Sequence, residues 1–362
     1  MGGVILSYPR LDIYLNRIKE NYLKMKKICA EKDIKLTAVV KAFSGDENIF
    51  KSLLKIDIDS IADSRLQNIK KFRELGYSKE AVLLRIPMLS EIDQLIEYVD
   101  HTLISEIETC RHLSKKALKK GEKIGVIVMI DLGDRREGIM PHELIDFLKE
   151  IGKLKGIYIE GLGTNLGCFA GILPDLTNTK KLIDLKNKVE KELNIKISRI
   201  SAGNTATTKL FGKNNLFAEI NNLRIGEGIL LGTDITNQRK LKSMHHYNFR
   251  LKAEIIELKN KPSLPEGSTG RDSSGRKNKF TDRGIRMRAI AAIGKQDIDY
   301  TGLYPELKGA EVLGASSDHL ILDLTDAEKE MKIAYIVSFM MNYRAVLQAM
   351  TSKYVEKNYI EG

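Results

Sequence analysis

Lys41 ends the apolar run TAVVK (37–41) and is followed by Ala42 and Phe43. A lysine carried from a strand end into an apolar mouth loses hydration, which lowers its pKa and favours the neutral amine that forms a Schiff base. Taken alone, a lysine at such a place is more often a solvated strand end. Thr205, within GNTATT (203–208), is placed to offer a hydroxyl near a helix start, where hydroxyls and backbone N–H groups receive phosphate. Taken alone, Asn204 and Thr205 read as a plain helix cap. Gly226 and Glu227, in LRIGEG (223–228), add backbone N–H groups, and Arg224 opens that string. Arg136, in GDRREG (133–138), is a guanidinium of the kind that takes a carboxylate through two hydrogen bonds.

These residues need a scaffold, and the first two thirds of the chain supply a regular one. An opening helix is expected over about 11–31, with Leu11, Leu15, Ile18, Tyr22, Met25 and Ile28 near helical spacing. Eight strand candidates follow, at 37–41, 57–62, 82–86, 101–104, 123–131, 157–163, 198–202 and 223–229. Helical stretches lie between them at 64–75, 90–99, 106–119, 141–153 and 176–193. Eight strand–helix pairs imply an α/β fold, a (β/α)8 TIM barrel, in which functional groups sit at the C-terminal strand ends. A miscount by one unit leaves a doubly wound sheet instead. After residue 235 the texture changes, with β-like runs at 249–257, 286–293 and 319–324 and a Gly/Ser/Pro-rich loop between the first two. The chain therefore reads as a barrel over 1–235 and a mainly β domain over 236–362.

Composition narrows the function classes. The chain has 362 residues, 43% of them hydrophobic, enough for a substantial core. No apolar run is long enough to span a membrane, and the start lacks the features of a secretory signal. Three widely spaced cysteines, Cys29, Cys110 and Cys168, fit neither a disulfide framework nor a Cys-type metal site, so reduced thiols, a cytoplasmic setting and no metal are expected. The net charge of +11 is spread along acid-interleaved helical stretches, which favours solvated faces over a nucleic-acid surface.

Four segments resemble the alanine racemase family, the barrel-type enzymes that use pyridoxal 5'-phosphate (PLP). They are AVVKAF (38–43), IDLGDRREGIMP (130–141), ISAGNTATT followed by LRIGEGILLG (200–232), and VLGASSDHLILDLTD (312–326). They occur in the family's order and spacing over nearly the whole chain, and the strings AIGKQD and GASSDH look closest to the ornithine racemase branch. The resemblance implies that Lys41 carries PLP and moves the substrate α-proton on one face. It implies that Arg224 donates to the pyridine nitrogen, that Arg136 meets the substrate carboxylate, and that Asn204, Thr205, Gly226 and Glu227 lie along the phosphate. It also implies a free amino acid as substrate, ornithine or a related basic one, and a homodimer whose β domain closes the partner's site.

Three departures from the family pattern stand out. Met129 occupies the place of a modifiable lysine that steadies the carboxylate-binding arginine, so that Asp131 or Asp134 is expected to hold Arg136. Asn165 replaces a histidine that packs on the cofactor ring. The loop EGSTGRDSSG (266–275) lacks the tyrosine that serves as the opposite-face base. Asp272 in that loop is the residue proposed for this role, with Lys295, Asp297, His319 and Tyr343 as further candidates. Asp318, Asp272 or Asp297 is expected to face a distal ammonium. The rival readings are a non-catalytic PLP-binding protein, which would end near residue 235, a PLP-dependent decarboxylase of basic amino acids, and a basic nucleic-acid-associated barrel.

Overall fold

The computed structural model describes residues 7–211, 219–271, 275, 277 and 279–361. The chain divides into two compact units: residues 17–246, and the N-terminal residues up to Asn16 together with Tyr247 onward. The division falls at 246, beyond the change in texture at 235, and it sends the start of the chain to the second unit.

The elements run in order as β1 (Arg10–Tyr14), α1 (Leu15–Ala30), β2 (Lys35–Val39), α2 (Glu47–Leu54), β3 (Ser60–Asp63), α3 (Leu66–Glu74), β4 (Glu80–Leu83), α4 (Ile92–Tyr98), β5 (His101–Ile104), α5 (Ile107–Lys119), β6 (Ile124–Met129), α6 (Leu144–Ile151), β7 (Ile157–Thr164), α7 (Leu176–Leu193), β8 (Arg199–Ala202), β9 (Asn222–Ile225) and α8 (Glu227–Leu231). Strands β2 to β9 form a closed parallel barrel, sealed by the pairing of β2 with β9. All eight expected barrel strands are present. The (β/α)8 architecture is therefore the one observed, and the doubly wound alternative is set aside.

Alternation along the short strands fills the barrel. Val39, Ala62, Val82, Leu103, Ile127 and Met129 pack as one buried apolar layer drawn from β2 to β6. Met129 packs so closely under β7 that a Cβ on Gly163 would lie 2.9 Å from its sulfur.

Two local expectations need correction. The opening helix begins at Leu15, because residues 10–14 form β1, paired with two strands of the second unit. The last barrel strand stops at Ile225, since Gly226 turns the chain and Glu227–Leu231 is helical.

The second unit is an antiparallel-rich sheet, as expected of a mainly β domain. Its elements are β12 (Phe249–Pro262), β13 (Ile285–Ala291), β14 (Leu303–Pro305), β15 (Glu311–Ala315), β16 (Leu320–Asp323), β17 (Ile336–Met341), α9 (Tyr343–Thr351) and β18 (Glu356–Ile360); two short strands, β10 (Thr233–Asp234) and β11 (Arg239–Lys240), precede it. The strand order is β14-β17-β12-β13-β16-β15, with β1 between β12 and β18. Residues 259–262, expected in the long loop, extend β12 and pair with 285–288. No helix among the described residues is long and apolar enough to cross a membrane.

Candidate active site at the barrel mouth

Lys41 sits two residues past the end of β2 and opens a tight turn, Lys41–Phe43. The turn closes through Ser44, whose left-handed backbone is followed by Gly45 at φ +71°. A Cβ on Gly45 would also strike the Asn68 amide at 2.5 Å, so the turn needs glycine there. Burial depresses the Lys41 pKa, as expected for an amine that must be neutral to react. Cys168, Arg136, Asp63 and Glu137 lie within electrostatic reach of it. Asp63 ends β3 beside this turn. It is fully buried, and its pKa is pushed up to about 6 by that burial, against the pull of hydrogen bonds from Arg65 N and Asn68 Nδ2.

Arg224 projects from β9 and is also buried. Its Nη2 donates to the Thr164 carbonyl at 2.8 Å, and its Nη1 donates to the Ser201 carbonyl at 3.0 Å and to the Ser201 hydroxyl. Burial lowers its pKa to about 10. Its Nε makes no hydrogen bond among the described residues. Glu137, Cys168 and Arg136 are its electrostatic neighbours, so Lys41, Arg136, Glu137, Cys168 and Arg224 share one mouth.

Asn204 and Thr205 start a short 3-10 segment, Thr205–Leu210, entered through Gly203 at φ +106°. Asn204 is a working cap: its Oδ1 accepts from Ala206 N at 2.9 Å, and its Nδ2 donates to the Leu166 carbonyl at 2.8 Å. The Thr205 hydroxyl accepts from Gly228 N at 3.1 Å, tying this segment to α8. The Glu227 carboxylate turns away to Thr233 and to the Ile235 N–H, and burial raises its pKa. An anion here would rest on the backbone N–H groups of Thr205 and Glu227, because those of Ala206 and Gly228 are already taken by Asn204 and Thr205.

The expected support of Arg136 by Asp131 or Asp134 is not what the structure shows. Asp131 takes the N–H groups of Gly133 and Arg135. Asp134 is buried and accepts from the N–H groups of Cys168, Phe169 and Ala170, pinning that loop to the 131–139 loop. Arg136 is held instead by Glu137, whose two oxygens take its Nε and Nη2. This holds the Arg136 pKa up although burial opposes it. Sequence reasoning missed Glu137 although the acid stands in the GDRREG string itself.

The candidates in the β unit fall into two groups. The 294–297 and 316–319 strings lie side by side, with Lys295 N bonded to Ser316 O at 2.8 Å and Gln296 N to Ser317 O at 2.9 Å. Asp297 is buried and accepts from Ser352 at 2.6 Å, which ties it to the segment after α9. Asp318 and His319 form an exposed pair at 2.9 Å. Tyr343 opens α9. Asp272 lies outside the described residues.

Residues at the mouth fit PLP on structural grounds. The buried Nδ2 of Asn165, one residue past β7, has no hydrogen-bond partner among the described residues, and there Arg224 Nε makes no hydrogen bond either. These donors at the end of β7 and on β9, with a lysine of depressed pKa past β2, are groups that PLP would use.

Comparison with known proteins agrees with this arrangement. Residues 13–234 match the model of the alanine racemase N-terminal domain. The chain is 40% identical over 354 residues to the ornithine racemase of Acetoanaerobium sticklandii, covering 98% of this chain and 100% of that one. It is also 40% identical over 354 residues to the lysine racemase of Thermotoga maritima, covering 98% and 99%. Among solved structures, an alanine racemase of Clostridium difficile superposes with a TM-score of 0.71 at 21% identity, covering 99% and 97% of the two chains. The alanine racemase of Bacillus anthracis gives 0.72 at 17%, with the same coverage. The structural likeness establishes the shared fold, and the full-length sequence identity establishes the kinship: this chain belongs to the alanine racemase family.

Proposed function

We propose that this protein is a PLP-dependent racemase that interconverts the enantiomers of a basic amino acid, ornithine or lysine. The observation that carries this reading is the end-to-end 40% identity to an ornithine racemase and a lysine racemase, with Lys41 placed at the barrel mouth.

In this reading Lys41 holds the cofactor covalently, the two N-terminal turns at Thr205 and Glu227 bind its phosphate, and Arg224 Nε and Asn165 Nδ2 donate to its ring substituents. When bound, PLP acidifies the hydrogen on the amino acid's α-carbon by spreading the charge left behind. Lys41 Nζ moves that proton on one face. Arg136, steadied by Glu137, orients the substrate carboxylate. Arg224, a cation that keeps its own proton, leaves the ring nitrogen unprotonated and tempers the ring as an electron sink, which suits racemisation over side reactions. Asp272 is the proposed base for the opposite face, because its loop takes the place of the family's tyrosine loop. Asp318, exposed at the surface of its unit, is the acid proposed for the distal ammonium. The same reading places the enzyme in the cytoplasm as a homodimer. The free thiols of Cys29, Cys110 and Cys168 support the first.

The test is incubation of the holoenzyme with L-ornithine, L-lysine and L-alanine, followed by chiral separation. Formation of D-ornithine or D-lysine well ahead of D-alanine supports the reading. A visible cofactor band without any D-product refutes it.

A further inference from the structure

The barrel interior is not apolar throughout. A file of buried polar side chains descends from Arg224 to a charged cluster at the opposite, N-terminal end of the strands. Ser201, Asn222, Thr37 and Ser60 are all buried and stand on adjacent strands β8, β9, β2 and β3. The bonds run Arg224 to Ser201, Ser201 Oγ to Asn222 Oδ1 at 2.5 Å, Asn222 Nδ2 to Thr37 Oγ1 at 3.0 Å, and Thr37 to Ser60 at 3.1 Å. Ser60 is the register partner of Glu80 on the next strand. Glu80 is itself paired with Arg199 at 2.5 Å and with Lys35 at 3.2 Å.

The bonds from Arg224 as far as Thr37 have a fixed direction. A guanidinium only donates, so the Ser201 hydroxyl accepts from Arg224 and must pass its own proton to Asn222. The Asn222 amide cannot be turned round, because its Nδ2 also meets the Lys35 carbonyl at 3.2 Å. Thr37 accepts from Asn222, and its bond to Ser60 can run in either direction, because a hydroxyl can accept twice. A cation stands at one end of the file, and the Glu80 carboxylate lies beside the other. Each link polarises the next in a low-dielectric interior.

We propose that this file, Ser201-Asn222-Thr37-Ser60, is a positioning device that, with the Glu80 cluster beside its far end, fixes Arg224 in orientation, so that its Nε–H stays available to the cofactor ring. The proposal rests on the assignment of Arg224 to that ring. It makes Thr37 a positioning residue that touches neither substrate nor cofactor.

The test uses the holoenzyme and Thr37→Val, which keeps the shape and breaks the file, with Thr37→Ser as the conservative rescue. Thr37→Val is expected to lower kcat about tenfold with KM nearly unchanged, and to move the pH midpoint at which the visible cofactor band titrates. Thr37→Ser should restore both. If Thr37→Val leaves kcat and the band titration unmoved while Arg224→Lys shifts them, the file is only packing and the proposal is wrong. If Arg224→Lys also leaves the band unmoved, the assignment of Arg224 has failed, and the proposal with it. Should Thr37→Val not fold, Ser60→Ala cuts the file nearer Glu80, and the same shift in band titration is required of it.

Discussion

Glu137 grips the guanidinium of Arg136, its own neighbour in sequence, with both carboxylate oxygens. Residues one apart rarely face each other in regular structure, but the 131–139 turn brings them together. In the proposed reading this pair does the work for which the resemblance expects a modifiable lysine, at a place where this chain buries Met129. Glu137→Gln should raise KM for the amino acid about tenfold with a smaller change in kcat, as expected for weakening one charge-assisted hydrogen bond. Steady-state kinetics in both directions checks this, and an unchanged KM would show that Arg136 stands without help.

Lys41→Ala should abolish covalent cofactor attachment altogether. Borohydride treatment of the holoenzyme followed by peptide mass analysis should place the reduced cofactor on Lys41 in the parent and nowhere in the variant. Because burial depresses the Lys41 pKa, reconstitution of the apoenzyme with PLP should accelerate as pH rises and level off below the ordinary lysine value of about 10.5.

Asp63 carries a pH signature of its own. Its pKa rises on folding to about 6, so between about pH 4 and about pH 6 the folded state holds a proton that the unfolded state has released. Stability contributed by this group is present in full below about pH 4 and is lost as pH climbs through about 6, by up to roughly 3 kcal/mol. Asp63→Asn should flatten this part of the stability–pH curve, measured by thermal unfolding across the range. Removing the charge should also lower the Lys41 pKa further, because Asp63 raises it.

Asp272→Asn should impair proton transfer on one face only. In deuterated solvent, exchange of the α-hydrogen without inversion should persist from one enantiomer, while net racemisation falls by about a hundredfold. Equal loss of exchange from both enantiomers would move the second base elsewhere.

Much of this architecture was legible because barrel strands are short, β-branched and separated by amphipathic helices, a rhythm that runs from Thr37 to Ile225. Strand β1 was not, since Leu11 continues the helical spacing of Leu15, Ile18 and Tyr22, and only its partners in β12 and β18 make it a strand. Lys41, Arg136 and Arg224 stand out through their strings and do converge. Glu137 hides in plain view, because proximity in sequence says nothing of a turn that folds one side chain onto the next. The file from Arg224 to Glu80 is invisible by a different route. Its members are ordinary polar residues drawn from five strands, and only closure of the barrel through β2 and β9 makes them neighbours.

The pairing of β1 with β18 has a bearing on how the chain acquires its structure. The Asp12 side chain of the first strand bonds Asn358 of the last, 346 residues away, and the whole barrel is an insertion between the halves of the sheet that unites them. On the ribosome, the barrel segment is complete while β1 still lacks β18 on one edge and β12 on the other. The barrel can thus fold as the chain emerges, and the β unit must close last, over the longest loop in the molecule.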